Sequence, residues 1–310
     1  MLGRRHLRIR VLNALYTWYQ TEHADQAKIE QEMFAGTDKM YDLYLSLLLF
    51  LTELSHHEKL YLEDVASKFI VRKKTFHRTY SGLKFIKALE TDTNFSELIG
   101  KRKLSWQKEN DLVAKVFFKI RNSEKYIDFT ENDKSTLTEA DFFNALYREE
   151  IVESELLKSY LEEKSIWWEE GLEYAHIMAK RTFTSYTESN KLELLSLFKD
   201  AADDKQFMTN LFRDTIRHDA ELKELISSRT KNWDVERIAS MDILLMKMAL
   251  TEVLHMQNIP LKVSINEYID LSKIYSTPKS KIFVNGVLDK VVEDLRNENK
   301  IVKTGRGLLG

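Results

Sequence analysis

Apolar residues recur at helical spacing from one end of the chain to the other. Leu7, Val11, Ala14, Leu15 and Trp18 share one face and predict a helix from about Leu7 to Gln20. Arg4, Arg5 and Arg8 project over or beside that apolar arc, and three guanidiniums cannot sit unpaired in a dry core. The expected arrangement is an arm whose first turn overhangs the end of a bundle, so that the arginines reach solvent or an anion. Arg10 falls on the polar side of the wheel. Leu43, Leu47, Leu48, Leu51 and Leu54 form the stripe of one or two helices over 39–70. From Val71 to about Asp200 the pattern stays polar and helical, with breaks near Gly82, Gly100, Asn132-Asp133 and Ser165. Tyr126, Phe129, Phe142, Phe143, Tyr147, Trp167 and Trp168 supply its candidate core; the tryptophan pair reads either as core or as a binding surface.

The C-terminal third has the clearest pattern. Leu211, Phe212, Ile216, Leu222, Leu225 and Ile226 mark a helix before Trp233. The next helix has Ser240 as N-cap and is apolar nearly all round through Ile243, Leu244, Met246, Met248, Leu250, Val253 and Leu254, which places it in the middle of a bundle. Ser264-Ile265-Asn266-Glu267 fits a capping box. Thr277-Pro278 fits a helix start with Pro at its first position. Phe283, Val284, Val287, Leu288, Val291, Val292 and Leu295 line one face of the last helix. Gly286, inside it, costs about 1 kcal/mol against Ala, which suggests close helix contact there.

Composition narrows the class. Only 9 Gly and 2 Pro occur in 310 residues, too little turn material for a strand-rich fold, so an all-α protein is expected. Zero Cys excludes disulfides, thiolate nucleophiles, iron–sulfur clusters and Cys-ligated zinc. The longest greasy stretch, Leu43 to Leu51, is under half of the ~20 residues a membrane span needs. With no apolar run after Met1-Leu2-Gly3-Arg4-Arg5, a cytoplasmic location without membrane attachment is expected. Charge is nearly balanced, with 47 basic and 49 acidic residues, yet the first twenty residues hold four Arg and no acid. Residues 271–310 hold eight basic and four acidic residues. Two basic ends around an acidic body fit a local anion-binding patch, or merely solvated helix ends.

Catalytic signatures are lacking. Gly305-Arg306-Gly307-Leu308-Leu309-Gly310 has the spacing of a dinucleotide loop, but it follows a helix and no helix comes after it in this sequence to hold a pyrophosphate. The eight His are scattered, and the neighbours His56 and His57 point to different sides of a helix. No enzyme activity, cofactor or metal is expected.

Two segments carry a specific likeness. The first is Gly3-Arg4-Arg5-His6-Leu7-Arg8-Ile9-Arg10-Val11-Leu12-Asn13-Ala14-Leu15-Tyr16-Thr17-Trp18. The second, within about Trp233 to Leu295, joins Ile259-Pro260-Leu261-Lys262-Val263-Ser264-Ile265-Asn266-Glu267 to Phe283-Val284-Asn285-Gly286-Val287-Leu288-Asp289. Together they resemble the transcription antitermination factor NusB family. The resemblance implies a pair of small helical bundles, here with a large helical insertion between the N-terminal helix and the C-terminal bundle. The expected division is 1–70 for the Arg-rich arm and first helices, 71–204 for the insertion, and 205–310 for the rest of the N-terminal bundle and the C-terminal bundle.

That family is non-catalytic. The resemblance implies binding to single-stranded boxA-type RNA of nascent ribosomal transcripts together with NusE, a small-subunit ribosomal protein. It also implies association with an RNA polymerase elongation complex that contains NusA and NusG. By similarity, Arg4, Arg5 and Arg8 correspond to the RNA-binding arm, and Lys273, Tyr275, Ser280, Lys281 and Phe283 to the rest of that surface. Tyr16 and Asp242 match positions turned towards NusE. Lys279 stands where the family often has an acid or a small residue, which adds to the basic character. Cations for phosphate and flat rings for bases are what single-strand recognition requires; Phe283, on the apolar face, reads equally as core. The enzyme that shares this fold, a ribosomal RNA cytosine methyltransferase, needs a catalytic Cys that the chain lacks. The remaining alternative is a protein-binding helical scaffold without specific RNA binding, either like the stalk subunit of ATP synthase or made a mainly protein-binding regulator by the insertion.

Overall fold

The computed structural model describes residues 1–21, 25–67, 75–230 and 239–308. Val71, Trp233, Leu309 and Gly310, landmarks above, lie outside the described residues. Among the described residues the fold is helical and contains no strand. The helices are α1 (Arg4–Gln20), α2 (Gln26–Ser67), α3 (Lys84–Thr91), α4 (Thr93–Arg102), α5 (Asn110–Arg121), α6 (Glu124–Glu131) and α7 (Glu139–Leu146). They continue as α8 (Glu155–Lys164), α9 (Ile166–Ser189), α10 (Ala201–Arg217), α11 (Asp219–Arg229), α12 (Ser240–His255), α13 (Leu261–Tyr275) and α14 (Ser280–Asn297). Two compact units emerge: Met1–Ala35 with Phe198–Gly310, and Gly36–Leu197. These boundaries differ from 70/71 and 204/205, the division expected from the sequence.

In the first unit α12 is central. It packs against α1, α10, α11, α13 and α14, and Leu245, Met246, Met248, Leu250 and Val253 are fully enclosed. This follows from its all-round apolar surface. Helix α1 lies against α10 and α12 through Leu7, Val11, Leu12 and Leu15. It begins one turn before the expected Leu7, because extended Gly3 precedes it and the amides of His6 and Leu7 bond to the Gly3 carbonyl. Cover by two helices leaves α1 little solvent face, so Arg10 is buried rather than on a polar side. The single helix expected before Trp233 is two, α10 and α11, divided at His218.

The helix starts also differ from expectation. Ser264 is no cap: α13 starts at Leu261 after Pro260, and the Ser264 hydroxyl turns inward to donate to Glu252 at 2.9 Å. Helix α14 starts at Ser280 rather than at Thr277-Pro278, since Ser280 Oγ accepts from the Thr277 amide at 3.1 Å and holds 277–279 in a turn. Ser240 is the first helical residue of α12, after Ala239. Gly286 makes no close helix contact: an added Cβ there would meet nothing within 4 Å.

The second unit has a core of stacked rings. Phe129 and Phe142 lie parallel at 4.0 Å, and Phe143 stacks on Phe183 at 4.0 Å. Buried Glu58 accepts from the amides of Tyr80 and Ser81 (2.9 and 2.6 Å) and from the Tyr126 hydroxyl (2.6 Å), tying α2 to α6 and the turn before α3. Trp167 and Trp168 are half-buried, and Trp168 Nε1 donates to the Lys39 carbonyl.

Candidate nucleic-acid interface

All the residues assigned above by resemblance fall in the first unit. The three N-terminal arginines each meet carboxylates of their own chain. Arg4 pairs with Asp203, lies 3.5 Å from Asp204, and stacks over the Phe207 ring at 4.4 Å. Arg5 holds Glu267 through two bonds (3.0 and 3.1 Å) and reaches Asp270 at 2.9 Å. The hydrogen bonds that Arg5 donates to Glu267 hold its guanidinium above its ordinary pKa, against partial burial. Lys273 bonds to the other oxygen of Asp270. That bond, ahead of the one from Arg5, keeps the Asp270 carboxyl below its usual range. One carboxylate therefore joins the arm to the last turn of α13.

Arg8 differs from its neighbours. Its side chain is 2% exposed, and it donates in a fork to Glu252, itself 0% exposed, at 2.6 and 2.9 Å. Ser264 and the Tyr268 hydroxyl (2.6 Å) also donate to Glu252, so that carboxylate accepts four hydrogen bonds inside the unit. Burial alone would lower the Arg8 pKa; the bonds and charge of Glu252 outweigh it and leave the group raised and cationic. The anion that Arg8 reaches is internal. It anchors α1 to α12 and α13, where the sequence suggested a cation at the protein's edge.

Ser280 and Asp242, assigned to different partners, are bonded to each other at 2.8 Å, and both are buried. They fix the start of α14 to the start of α12. Lys281 is exposed, while Tyr275 and Phe283 are half-buried. Tyr16 is 42% exposed, about three turns along α1 from Arg5 on nearly the same face. A cleft of about 880 Å³ runs beside the arm, lined among others by Arg4, Arg5, Phe207, Asn258, Pro260 and Glu267. It offers guanidiniums, carboxylates and amide groups to a charged, hydrogen-bonding ligand.

Residues 174–293 match the NusB family. The transcription antitermination protein NusB of Salinibacter ruber is 44% identical over 106 residues, 34% of this chain and 66% of that protein. That of Chloroherpeton thalassium is 37% identical over 105 residues, 34% of this chain and 50% of that protein. That of Geobacter sulfurreducens is 34% identical over 115 residues, 36% of this chain and 83% of that protein. This chain belongs to the NusB family. It spans between half and about two thirds of the first two of these relatives.

Within the family frame, Asp242, Lys273, Tyr275, Ser280, Lys281 and Phe283 lie inside the matched region, while Arg4, Arg5, Arg8 and Tyr16 lie outside it. Sequence reasoning missed the carboxylates that face the arm, Asp203, Glu252, Glu267 and Asp270. One signal was available: Glu252 is a carboxylate in a helix that is apolar nearly all round, and such a group needs a partner. Among the described residues, no helix is long and apolar enough to cross a membrane.

Proposed function

We propose that the protein is a transcription antitermination factor that binds boxA-type single-stranded RNA of nascent ribosomal transcripts together with NusE. In this reading the pair joins the RNA polymerase elongation complex with NusA and NusG. Support comes from family membership and from one observation of geometry, the Asp270 carboxylate shared by Arg5 and Lys273. It puts cations from the chain's start and from α13 side by side, as a strand crossing both requires. Arg4, Arg5, Lys273 and Lys281 are the phosphate-facing cations, Tyr275 and Phe283 the flat groups. Arg8, Ser280 and Asp242 act from inside by positioning the arm and the start of α14. Tyr16 is the exposed residue left to meet NusE.

Four phosphate contacts give a log–log salt slope near −3, at about 0.7 per contact on single strands. The test is a gel shift with boxA-type RNA across a salt series, with and without NusE. Arg4→Ala with Arg5→Ala weakens binding, flattens the slope by about 1.4 and leaves helicity unchanged. Equal affinity in variant and parent would reject the assignment.

A second reading, a protein-binding helical scaffold without specific RNA binding, draws on the same ion pairs, since Asp203, Glu267 and Asp270 already occupy the arginines. NusE binding without any RNA shift would favour it.

A further inference from the structure

The unit Gly36–Leu197 contains a cleft of about 640 Å³ between α2, the segment after α4, α8 and the start of α9. Its walls carry Lys39, Arg102, Lys103, Lys108 and Lys164. Three of these five cations are already paired. Arg102 forks onto Asp38 (3.0 Å) and Asp42 (2.6 Å), and Lys39 bonds to Asp42 at 2.9 Å. Lys164 bonds to Glu109 at 2.8 Å, and the Tyr160 hydroxyl donates to the same carboxylate at 2.6 Å. Lys103 and Lys108 are exposed and, among the described residues, donate to no carboxylate; the charge of Lys108 adds only a minor pull on its neighbour Glu109. They are the positive surplus of the cleft.

Rigid rings lie beside this surplus. Trp106 is buried, its Nε1 donating to the Ser46 carbonyl at 3.0 Å and its ring edge-on to Phe50 at 4.8 Å. Tyr160 leans on Trp106 at 5.5 Å. Trp168, half-buried, is fixed by its bond to the Lys39 carbonyl at 3.1 Å. Both indoles are therefore held by backbone carbonyls of α2, and a ligand ring would pay little to order them. Pinned aromatic groups next to exposed lysines without a carboxylate partner suit a planar ring that carries a phosphate. The volume lies within the roughly 300–1,000 Å³ of small-ligand sites.

We propose that this cleft binds a nucleotide unit, its base against Trp168 and Tyr160 and its phosphate at Lys103 and Lys108. The source is either a free mononucleotide or one residue of a single-stranded RNA. The site is separate from the N-terminal arm and does not depend on the arm's role.

The test uses the full chain carrying Arg4→Ala and Arg5→Ala, which removes the arm's two exchangeable cations and weakens the first interface. Intrinsic tryptophan fluorescence is titrated with adenosine monophosphate in one arm and a short oligoadenylate in the other. Saturable quenching by the mononucleotide identifies a free nucleotide; quenching by the oligonucleotide alone identifies an RNA strand; either supports the site. Lys103→Glu with Lys108→Glu weakens binding about tenfold or more and, for the oligonucleotide, lowers the salt slope by about 0.7, the share of the one phosphate the two lysines hold. Trp168→Leu removes most of the quenching and costs about tenfold in affinity. Should the charge-reversed pair fold poorly by circular dichroism, Lys103→Gln with Lys108→Gln replaces it. No quenching by either probe, or unchanged affinity in a folded lysine variant, overturns the proposal.

Discussion

Arg8→Met removes the cation from a site where Glu252 is fully enclosed and Arg8 supplies two of its four hydrogen bonds. Ser264 and Tyr268 remain as neutral donors, so the carboxylate keeps two partners and loses its countercharge. Breaking a buried ion pair from one side costs about 3–5 kcal/mol. Two retained hydrogen bonds place this case towards the lower end, at about 3 kcal/mol. Glu252→Gln orphans the guanidinium instead, leaving it Glu267 at 3.5 Å, and a cost of about 3 kcal/mol is expected there too. The double variant, Arg8→Met with Glu252→Gln, has no uncompensated charge. It should cost less than the two singles together, with a coupling of about 2–3 kcal/mol. Since the chain has two compact units, a global melting curve would mix them. Native-state hydrogen exchange at the amides of α12 and α13 isolates the relevant one. Additive single losses, or an Arg8→Met loss below about 1 kcal/mol, would refute the account of Arg8 as an internal anchor.

Two glycines should respond with opposite signs. Gly36→Ala places a Cβ 2.5 Å from the Trp167 ring and should cost about 1–3 kcal/mol in urea unfolding. Gly286→Ala, exposed in mid-helix with open space around it, should gain about 0.5–1 kcal/mol; a loss there would mean that a helix does approach it. Acid should weaken the second unit through His176, which burial pushes down to about 4 while its Nδ1 meets the Tyr147 hydroxyl at 3.0 Å. Its folded pKa is below the unfolded value of about 6.5, so the unfolded chain binds more protons as pH falls. The contribution is complete above pH ~6.5 and lost progressively towards pH ~4, about 3 kcal/mol in all. His176→Gln should flatten that part of the stability–pH curve, and an unchanged curve would contradict the burial argument.

Helix identity and the central place of α12 were legible because each rests on local periodicity. Leu7, Val11 and Leu15 share a face whatever else the chain does, and a helix apolar all round has only one environment. What meets a charge was not legible. Asp203 and Asp270 stand roughly two hundred residues or more from the arginines they hold, and nothing in the spacing of either end announces the pairing. Ser264 shows the same limit at short range. Ser-x-x-Glu is a sound cap by local rules, yet the buried Glu252 needs donors and α13 starts earlier to supply one. There a local preference worth about 1 kcal/mol met a buried carboxylate, and the carboxylate prevailed.

The same accounting changes what the basic amino terminus means. Four arginines without an acid suggest free positive charge, but in the folded unit Arg4, Arg5 and Arg8 face Asp203, Glu267, Asp270 and Glu252. A phosphate arriving at the arm would exchange with a carboxylate rather than fill a vacancy. For Arg4, a third exposed, and Arg5, nearly half exposed, opening such a pair costs up to about 1 kcal/mol. For Arg8 the exchange would strand Glu252 in the core, at several kcal/mol. The arm therefore divides into one anchor that stays and two guanidiniums that can change partners, so strand affinity should fall with the loss of Arg4 and Arg5, and fold stability with the loss of Arg8.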